Sequence, residues 1–447
     1  MFKKSLIFLL IIVTLLGITH TDIQAQNQWP AEVSVHAPSA IVMEANSGAI
    51  LYEKNSTEMN YPASITKIMT TMLALEYCDL DEVVTFSADA VFKNEGNTSH
   101  IARDLNEKMT MEECLYAVML ESANECAYAV AEHVGAKLGG DYQTFVDLMN
   151  RRAEELGCTN THFNNANGLP DENHWTSAYD MALIAQAALE QEAFRIIMGS
   201  RRYVIPPTNK HKDSTYLNNH HAMIHNYKTS EHLYEYALGG KTGFTEAAGA
   251  TLVSYAQKGD LTLICVVMHT DTDTYYGDTR NLFEYCFNQF ENHNILENQS
   301  TAGLEEEHKG FLQTFDSYVT LEEDACITLP KGVDFTEATC TLVTEMTPQG
   351  SLNTLEYSYA GVVVGSAEII PAEVSIGDHY FYDKVTLMEG EQKVVKIRPI
   401  FLILGVLFLL VIVVFVIFVK GMRANPYGMA GSRKGRRGRR KSSLRFR

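Results

Sequence analysis

Apolar positions along residues 31–291 change from strand spacing to helical spacing and back to strand spacing. Alternation on both sides of the turn Asn46-Ser47-Gly48 predicts a β-hairpin over 40–54. Apolar residues three and four apart predict helices, and short apolar runs between turn residues predict strands. The predicted helices cover 62–77, 110–138 with a break at 122–124, 142–156, 177–189 and 279–290, and the later strands cover 204–207, 239–244, 248–257 and 261–269. This order predicts an α+β fold in which one antiparallel sheet packs against a helical lobe.

The pattern changes after this region. Residues 292–314 are polar and acidic, and we interpret them as a linker. Residues 315–392 alternate Thr, Val, Tyr and Glu, as in Leu355-Glu356-Tyr357-Ser358-Tyr359, which predicts a small β-sandwich as an accessory domain. This accessory domain contains no residue pattern that suggests catalysis.

The beginning of the chain predicts export. Met1-Phe2-Lys3-Lys4 is cationic, 6–18 is almost wholly apolar, and a polar stretch with Ala25 follows. Residues 1–25 are therefore interpreted as a secretory signal peptide. The alternative interpretation is a retained N-terminal anchor, because Ile23 stands where a cleavage site usually has a small residue.

The end of the chain predicts a single membrane span. Residues 400–419 carry no charge, and a helix of this length crosses about 30 Å of hydrocarbon, so 399–420 is the predicted transmembrane helix. The tail 421–447 is basic, and the positive-inside rule places it in the cytoplasm and the body of the protein outside. A basic tail also suits anionic lipid or nucleic acid, but membrane topology alone accounts for it.

Charge and cysteine content exclude several classes of function. The net charge is −19, although the tail is basic, so the body is strongly acidic and is not expected to bind nucleic acid. The eight cysteines form no C-x-x-C pair, which gives no support for a zinc ribbon or a thioredoxin motif. A bridge between Cys326 and Cys340 is one option in an exported chain. His221 and His225 are four apart, but no third metal ligand is identifiable, and a polar turn-rich segment is favoured.

The first candidate for chemistry is Ser64-Ile65-Thr66-Lys67 at the start of a predicted helix. Residues three apart lie on one helix face, so the Lys67 amine is held beside the Ser64 hydroxyl. Serine needs a neighbouring base to become a nucleophile, and lysine serves only when burial or a second cation keeps it neutral. The helix start also offers a backbone N–H to a developing oxyanion. Alone, the motif also fits a helix N-cap followed by a solvated lysine.

Two further motifs follow in order. Ser122-Ala123-Asn124 places a hydroxyl that can relay a proton beside an amide that can orient a substrate and the lysine. Lys241-Thr242-Gly243 places a cation and a hydroxyl on a strand edge, where they suit a substrate carboxylate, and Phe244 can present a second oxyanion N–H. Taken singly, they also fit a polar helix break and a charged edge strand with a glycine bulge.

Together the three motifs resemble those of the bacterial D-alanyl-D-alanine carboxypeptidases, the low-molecular-weight penicillin-binding proteins. The segments Tyr61–Thr70, Met119–Ala127 and Gly240–Thr245 are similar to the family's three motifs. Phe163–Asp171 resembles its long loop. Ala123 and the pair Asn165-Ala166 depart from the usual pattern without removing a reacting atom.

The resemblance implies a β-lactamase/transpeptidase-like catalytic domain over 31–291 and a penicillin-sensitive serine carboxypeptidase. It implies that Ser64 attacks the carbonyl between the two terminal D-alanines of a peptidoglycan stem peptide, and that Lys67 and Ser122 transfer protons. Asn124 would orient the substrate, Lys241 and Thr242 would bind its carboxylate, and the N–H groups of Ser64 and Phe244 would stabilise the oxyanion. β-Lactams would acylate Ser64, and neither a metal nor an organic cofactor is implied.

Two other functions remain open on the same scaffold. A serine β-lactamase of class A would need a deacylating glutamate, and 141–167 offers no convincing equivalent. A catalytically silent wall-binding scaffold is the non-enzymatic alternative, although all the reacting side chains are present. The predicted location is the bacterial cell membrane, with one span and an extracytoplasmic catalytic domain.

Overall fold

The computed structural model describes residues 29–93, 98–298, 319–322, 324–347 and 350–371. These residues belong to one compact unit, which spans 1–374, and a second unit spans 375–447. The predicted signal peptide, transmembrane helix and basic tail lie outside the described residues, as do 299–314 of the predicted linker and 372–392 of the accessory domain. Within the described ranges, no helix has both the length and the apolarity needed to cross a bilayer.

Strands and helices follow the predicted order β, then helices, then β. The strands of the described ranges are β1 (Ser39–Glu44), β2 (Ile50–Lys54), β3 (Val83–Thr85), β4 (Lys108–Thr110), β5 (Arg202–Ile205), β6 (Thr215–Asn218), β7 (Ala237–Thr245), β8 (Gly249–Lys258), β9 (Leu261–Thr270), β10 (Phe290–Asn294), β11 (Val319–Leu321), β12 (Cys326–Pro330), β13 (Thr339–Thr347), β14 (Gly350–Tyr359) and β15 (Val362–Pro371). The α-helices are α1 (Lys67–Tyr77), α2 (Ala88–Phe92), α3 (Met111–Leu120), α4 (Asn124–Lys137), α5 (Tyr142–Glu155), α6 (Ala178–Leu189), α7 (Glu192–Gly199), α8 (Tyr275–Gln289) and α9 (Ile295–Asn298), and Ala63–Thr66 and Phe335–Glu337 are 3₁₀ turns.

The predicted antiparallel sheet is confirmed as a five-stranded sheet in the order β2-β1-β9-β8-β7. Both faces of its central strands are buried. On β9, Ile264 and Val266 pack with the helical lobe, whereas Cys265 and Val267 pack with α8. Alternate residues of a strand point to opposite faces, so a strand covered on both sides is apolar at every position.

The helical lobe places the first two motifs at helix starts. The predicted helix over 62–77 begins as the 3₁₀ turn Ala63–Thr66 and continues as α1, which is buried from Lys67 to Ala74. The predicted break in the second helix is confirmed: α3 ends at Leu120, Ser122 takes a left-handed φ of 60°, and α4 begins two residues later. The 3₁₀ turn that carries Ser64 lies against β7, the edge strand of the sheet.

The predicted linker differs from the structure at its beginning. Residues 292–298 are not a free connection, because β10 pairs with β12 and α9 buries Ile295. The Asn292 amide also donates to the buried Glu44 carboxylate at 3.1 Å, and Ser47 Oγ lies 2.6 Å from Thr328 Oγ1. These backbone and side-chain hydrogen bonds satisfy the polar residues that made the segment resemble a linker. The domain boundaries at 291 and 314 stay predictions.

The described residues that follow α8 form two sheets around one small core. A two-stranded sheet pairs β10 with β12, and a four-stranded sheet has the order β11-β15-β14-β13. Ile327, Tyr357 and Val364 belong to the core between them. The eight cysteines all lie in the described ranges and are unpaired, so the Cys326–Cys340 bridge considered above is not formed.

Candidate active site

Ser64 lies on a tight turn that brings it against Lys67. The residue lies within the 3₁₀ turn Ala63–Thr66, and Lys67 is the first residue of α1. The distance between Lys67 Nζ and Ser64 Oγ is 3.0 Å, which is hydrogen-bonding distance. Ala63 has a φ of 51°, a strained value for a residue with a side chain, so the surrounding structure holds this turn in place.

The Lys67 amine is fully buried and has neutral hydrogen-bond acceptors around it. It donates to Asn124 Oδ1 at 2.7 Å and to the backbone carbonyl of Asn167. Burial and the nearby Lys241 ammonium lower the pKa of Lys67 well below its ordinary value of 10.5, and the Glu125 carboxylate only partly opposes this shift. A neutral amine has two N–H groups and one lone pair, so the two carbonyl oxygens leave the lone pair available to Ser64.

The second motif forms another wall of the same site. The Ser122 hydroxyl is buried and has no hydrogen-bond partner among the described residues. The Asn124 N–H donates to the Ser99 carbonyl at 2.9 Å, and the Ile101 N–H donates to the Glu125 carboxylate at 2.6 Å. These bonds attach the segment around Ser99 to the start of α4, which fixes the wall of the site opposite β7.

The third motif lies on β7. Lys241 is buried, its Nζ donates to the Thr242 carbonyl at 2.7 Å, and burial lowers its pKa to about 7. Behind it, His221 Nε2 lies 2.8 Å from Ser254 Oγ, and burial together with the Lys241 charge lowers the pKa of His221 to about 3. A Cβ added at Gly243 would lie 2.8 Å from the Ser64 nitrogen, so only glycine allows the strand to pass this close.

The loop at Asn167-Gly168 packs against the 3₁₀ turn that carries Ser64. Its Asn167 backbone carbonyl accepts a hydrogen bond from Lys67 Nζ, and Gly168 has a φ of 85°. A Cβ at Gly168 would lie 1.9 Å from the Ala63 carbonyl oxygen and 3.0 Å from the Ser64 nitrogen. Both constraints require glycine, and the sequence analysis assigned no role to either residue.

His174 braces the nucleophile turn and was also missed. Its Nδ1 accepts the Asn164 N–H at 2.9 Å, so the proton lies on Nε2, which donates to Thr66 Oγ1 at 3.0 Å. Thr66 in turn donates to the Ala63 carbonyl at 2.9 Å. Burial lowers the pKa of His174 to about 3, so it stays neutral and keeps this tautomer at physiological pH.

The three motifs meet in one open cleft of about 750 Å³. Ser64, Ser122, Asn124, Thr242 and Phe244 line it. The two lysines of the motifs lie beneath its surface. The cleft therefore holds a hydroxyl beside an amine of lowered pKa, with a second cationic residue and a strand edge opposite, which is the arrangement that acyl transfer to serine needs.

The two histidines considered as metal ligands do not share a site. His221 is engaged with Ser254, whereas the His225 ring stacks on Tyr227 with centroids 6.1 Å apart. Two other clusters in the described part of the chain have metal-ligand chemistry, and neither includes a residue of the cleft.

The chain is similar to known proteins over more than half of its length. A family profile described as D-alanyl-D-alanine carboxypeptidase matches residues 24–272. The D-alanyl-D-alanine carboxypeptidase DacF of Bacillus subtilis is 31% identical over 342 residues, which cover 75% of this chain and 83% of the relative.

Two solved structures are similar to this chain. A D-alanyl-D-alanine carboxypeptidase from Mycobacterium tuberculosis has 26% identity and a TM-score of 0.51, with 58% of this chain and 93% of that chain covered. Penicillin binding protein 5 from Haemophilus influenzae shares the fold, with 23% identity, a TM-score of 0.58 and coverage of 76% and 98%. The chain belongs to the D-alanyl-D-alanine carboxypeptidase family, as its three motifs predicted.

Proposed function

We propose that the protein removes the terminal D-alanine from peptidoglycan stem peptides that end in D-Ala-D-Ala, through an acyl-enzyme on Ser64. The observation that carries the proposal is the contact between the Ser64 hydroxyl and the buried Lys67 amine at the floor of the cleft. The family membership supports the same reaction. No metal or organic cofactor takes part in it.

The first half of the reaction forms the acyl-enzyme. Neutral Lys67 accepts the Ser64 proton while Oγ attacks the carbonyl carbon between the two D-alanines. The N–H groups of Ser64 and Phe244 donate to the oxyanion. When the tetrahedral intermediate collapses, the C–N bond breaks, and the Ser122 hydroxyl passes a proton from Lys67 to the departing D-alanine amine. In the second half, water gives a proton to Lys67 through Ser122 as its oxygen bonds to the acyl carbon. The bond between that carbon and Ser64 Oγ then breaks, Lys67 returns the proton to Oγ, and the shortened peptide leaves.

Binding depends on the carboxylate at the end of the substrate. Lys241 and Thr242 bind this carboxylate, and Asn124 orients the peptide carbonyl. A bound anion raises the pKa of Lys241 again, because an opposite charge favours the ammonium form. β-Lactams carry a carboxylate at the corresponding place, so they acylate Ser64 in the same way.

We also propose that the catalytic domain acts outside the cytoplasm and is attached to the membrane by one C-terminal helix. The support is the sequence: a signal-peptide pattern over 1–25, an uncharged apolar segment over 400–419 and a basic tail. This location gives the enzyme access to peptidoglycan, which lies outside the membrane.

Incubation with a peptide ending in D-Ala-D-Ala tests the proposed function. We expect D-alanine to be released, and we expect a matched peptide ending in D-Ala-L-Ala to react about 100-fold more slowly, because its carboxylate misses Lys241 and Thr242 when the carbonyl lies at Ser64. Hydrolysis of both peptides is measured as formation of the shortened peptide by mass spectrometry, which does not depend on whether D-alanine or L-alanine is released.

Two other results would contradict the proposal. Binding of the peptide without release of D-alanine would indicate a catalytically silent scaffold. Rapid hydrolysis of penicillin, with no acyl-enzyme accumulating in the mass spectrum, would indicate a β-lactamase.

A further inference from the structure

A second cavity, of about 440 Å³, lies next to the catalytic cleft. Ala247 lines both of them. The other residues around this cavity include two aromatic residues, Tyr61 and Trp175, and one carboxylate, Glu172. The mechanism proposed above uses none of these residues, so the cavity has no assigned role.

The walls of this second cavity are fixed relative to the nucleophile. Asn60 and Thr176 exchange two backbone hydrogen bonds, of 2.7 and 2.9 Å. Trp175 and His162 exchange another two, of 2.9 and 3.0 Å, and their rings stack with centroids 5.2 Å apart. Tyr61 follows Asn60 and precedes Ser64 by only three residues, so the pairing of Asn60 with Thr176 holds both aromatic residues close to the nucleophile along the chain.

A peptide bound in the cleft as proposed above extends toward this cavity. With the terminal carboxylate at Lys241 and Thr242 and the reacting carbonyl at Phe244, the upstream part of the peptide continues toward Ala247. A strand rises about 3.4 Å per residue, so Ala247 is at most about 10 Å from Phe244. One further residue with a long side chain covers that distance, since an extended chain advances about 3.5 Å per residue.

The chemistry of the cavity suits a cation. Tryptophan and tyrosine rings attract an ammonium group through their negative faces, and a carboxylate adds a charge-assisted hydrogen bond. His269 also lines the cavity, and its Nδ1 lies 3.2 Å from the Ala248 carbonyl oxygen. We propose that this cavity binds the ammonium group on the side chain of the residue that precedes D-Ala-D-Ala, an inference that rests on the proposed function.

The test compares two peptides that differ by one charge. Nα-acetyl-L-lysyl-D-Ala-D-Ala carries a free side-chain ammonium, whereas the Nα,Nε-diacetyl peptide does not. We expect the full-length protein to hydrolyse the free-amine peptide with a kcat/KM about tenfold higher. We expect Glu172→Gln and Trp175→Leu each to reduce this ratio to about threefold or less, and Trp175→Phe to keep more of it than Trp175→Leu.

The ratio of the two kcat/KM values within one variant cancels any general loss of activity. Glu154→Gln is the matched control, because Glu154 is an exposed glutamate on α5 that lines neither cavity, and we expect it to keep the wild-type ratio. Equal hydrolysis of both peptides by wild type, or an unchanged ratio in the Glu172 and Trp175 variants, would overturn this inference alone. Hydrolysis of neither peptide would overturn the proposed function together with it.

Discussion

Ser64→Ala is expected to abolish covalent labelling by penicillin and to reduce D-alanine release by at least about 10⁴-fold. The reason is chemical: the Ser64 hydroxyl is the group that forms the new bond, and the turn on which it lies positions no other hydroxyl against Lys67 Nζ. Alanine is smaller than serine and keeps the backbone conformation, so we expect the variant to remain folded. The measurement is the mass of the intact protein after incubation with penicillin.

The control for this experiment is an exposed serine. Ser230→Ala should label to the same extent as wild type, because Ser230 is exposed and does not line the cleft. Stoichiometric labelling of Ser64→Ala would show that another residue is the nucleophile, and the proposed acyl-enzyme would then be wrong.

Lys67→Arg is expected to slow acylation by about 10³-fold or more, within the range typical of general acid–base catalysis. Arginine carries a permanent positive charge because it cannot be deprotonated in a protein, and its guanidinium is larger than the Lys67 amine that contacts Asn124 and Asn167. The measurement is the rate of penicillin labelling, with circular dichroism to show that the variant is folded.

Lys93→Arg is the matched control for the lysine variant. Lys93 is exposed and pairs with Asp89 four residues earlier on the same helical turn, so an arginine there should leave the rate of acylation unchanged. A Lys67→Arg variant that acylates as fast as wild type would show that a positive charge, rather than a neutral amine, activates the serine.

The sequence predicted the large elements well because burial determines where their apolar residues lie. The run Leu263–Met268 is apolar at every position because both faces of β9 are covered, and most positions of α1 up to Ala74 are apolar because other helices surround it. Short elements were missed. β3 and β4 have three residues each and form only because they pair with each other, which local composition does not reveal.

The linker prediction also failed to detect a strand that forms by pairing with a distant part of the chain. Polar residues around Asn292 resemble a flexible connection, but β12 supplies hydrogen bonds to this segment from more than 30 residues away along the chain. Pairing over such a distance depends on the tertiary fold.

Within the candidate site, the motifs identified the reacting side chains, and the structure adds the groups that control them. Asn167 acts through its backbone carbonyl, which every residue type has, so no pattern of side chains points to it. His174 acts through Thr66 from more than 100 residues away in the sequence. Gly168 left a signal, because Asn-Gly pairs are typical of left-handed turns, but the signal does not indicate what the turn approaches.

The central claim is that Ser64 is activated by an uncharged Lys67. Burial disfavours the ammonium form, the Lys241 charge disfavours it further, and the two carbonyl acceptors need only the N–H groups of a neutral amine. Between the lowered pKa and 10.5, the folded protein binds one proton fewer at Lys67 than the unfolded chain does. The free energy of unfolding therefore decreases as the pH falls through this range.

The pH dependence of acylation tests this claim most directly. The rate constant is measured at saturating penicillin, so that the titration of Lys241, which affects binding, does not contribute. Because the pKa of Lys67 is lowered well below 10.5, we predict that the rate falls by much less than tenfold for each pH unit between about pH 9 and pH 7. A rate that falls about tenfold for each pH unit over the same range would mean that Lys67 titrates as an ordinary lysine, and it would contradict the account.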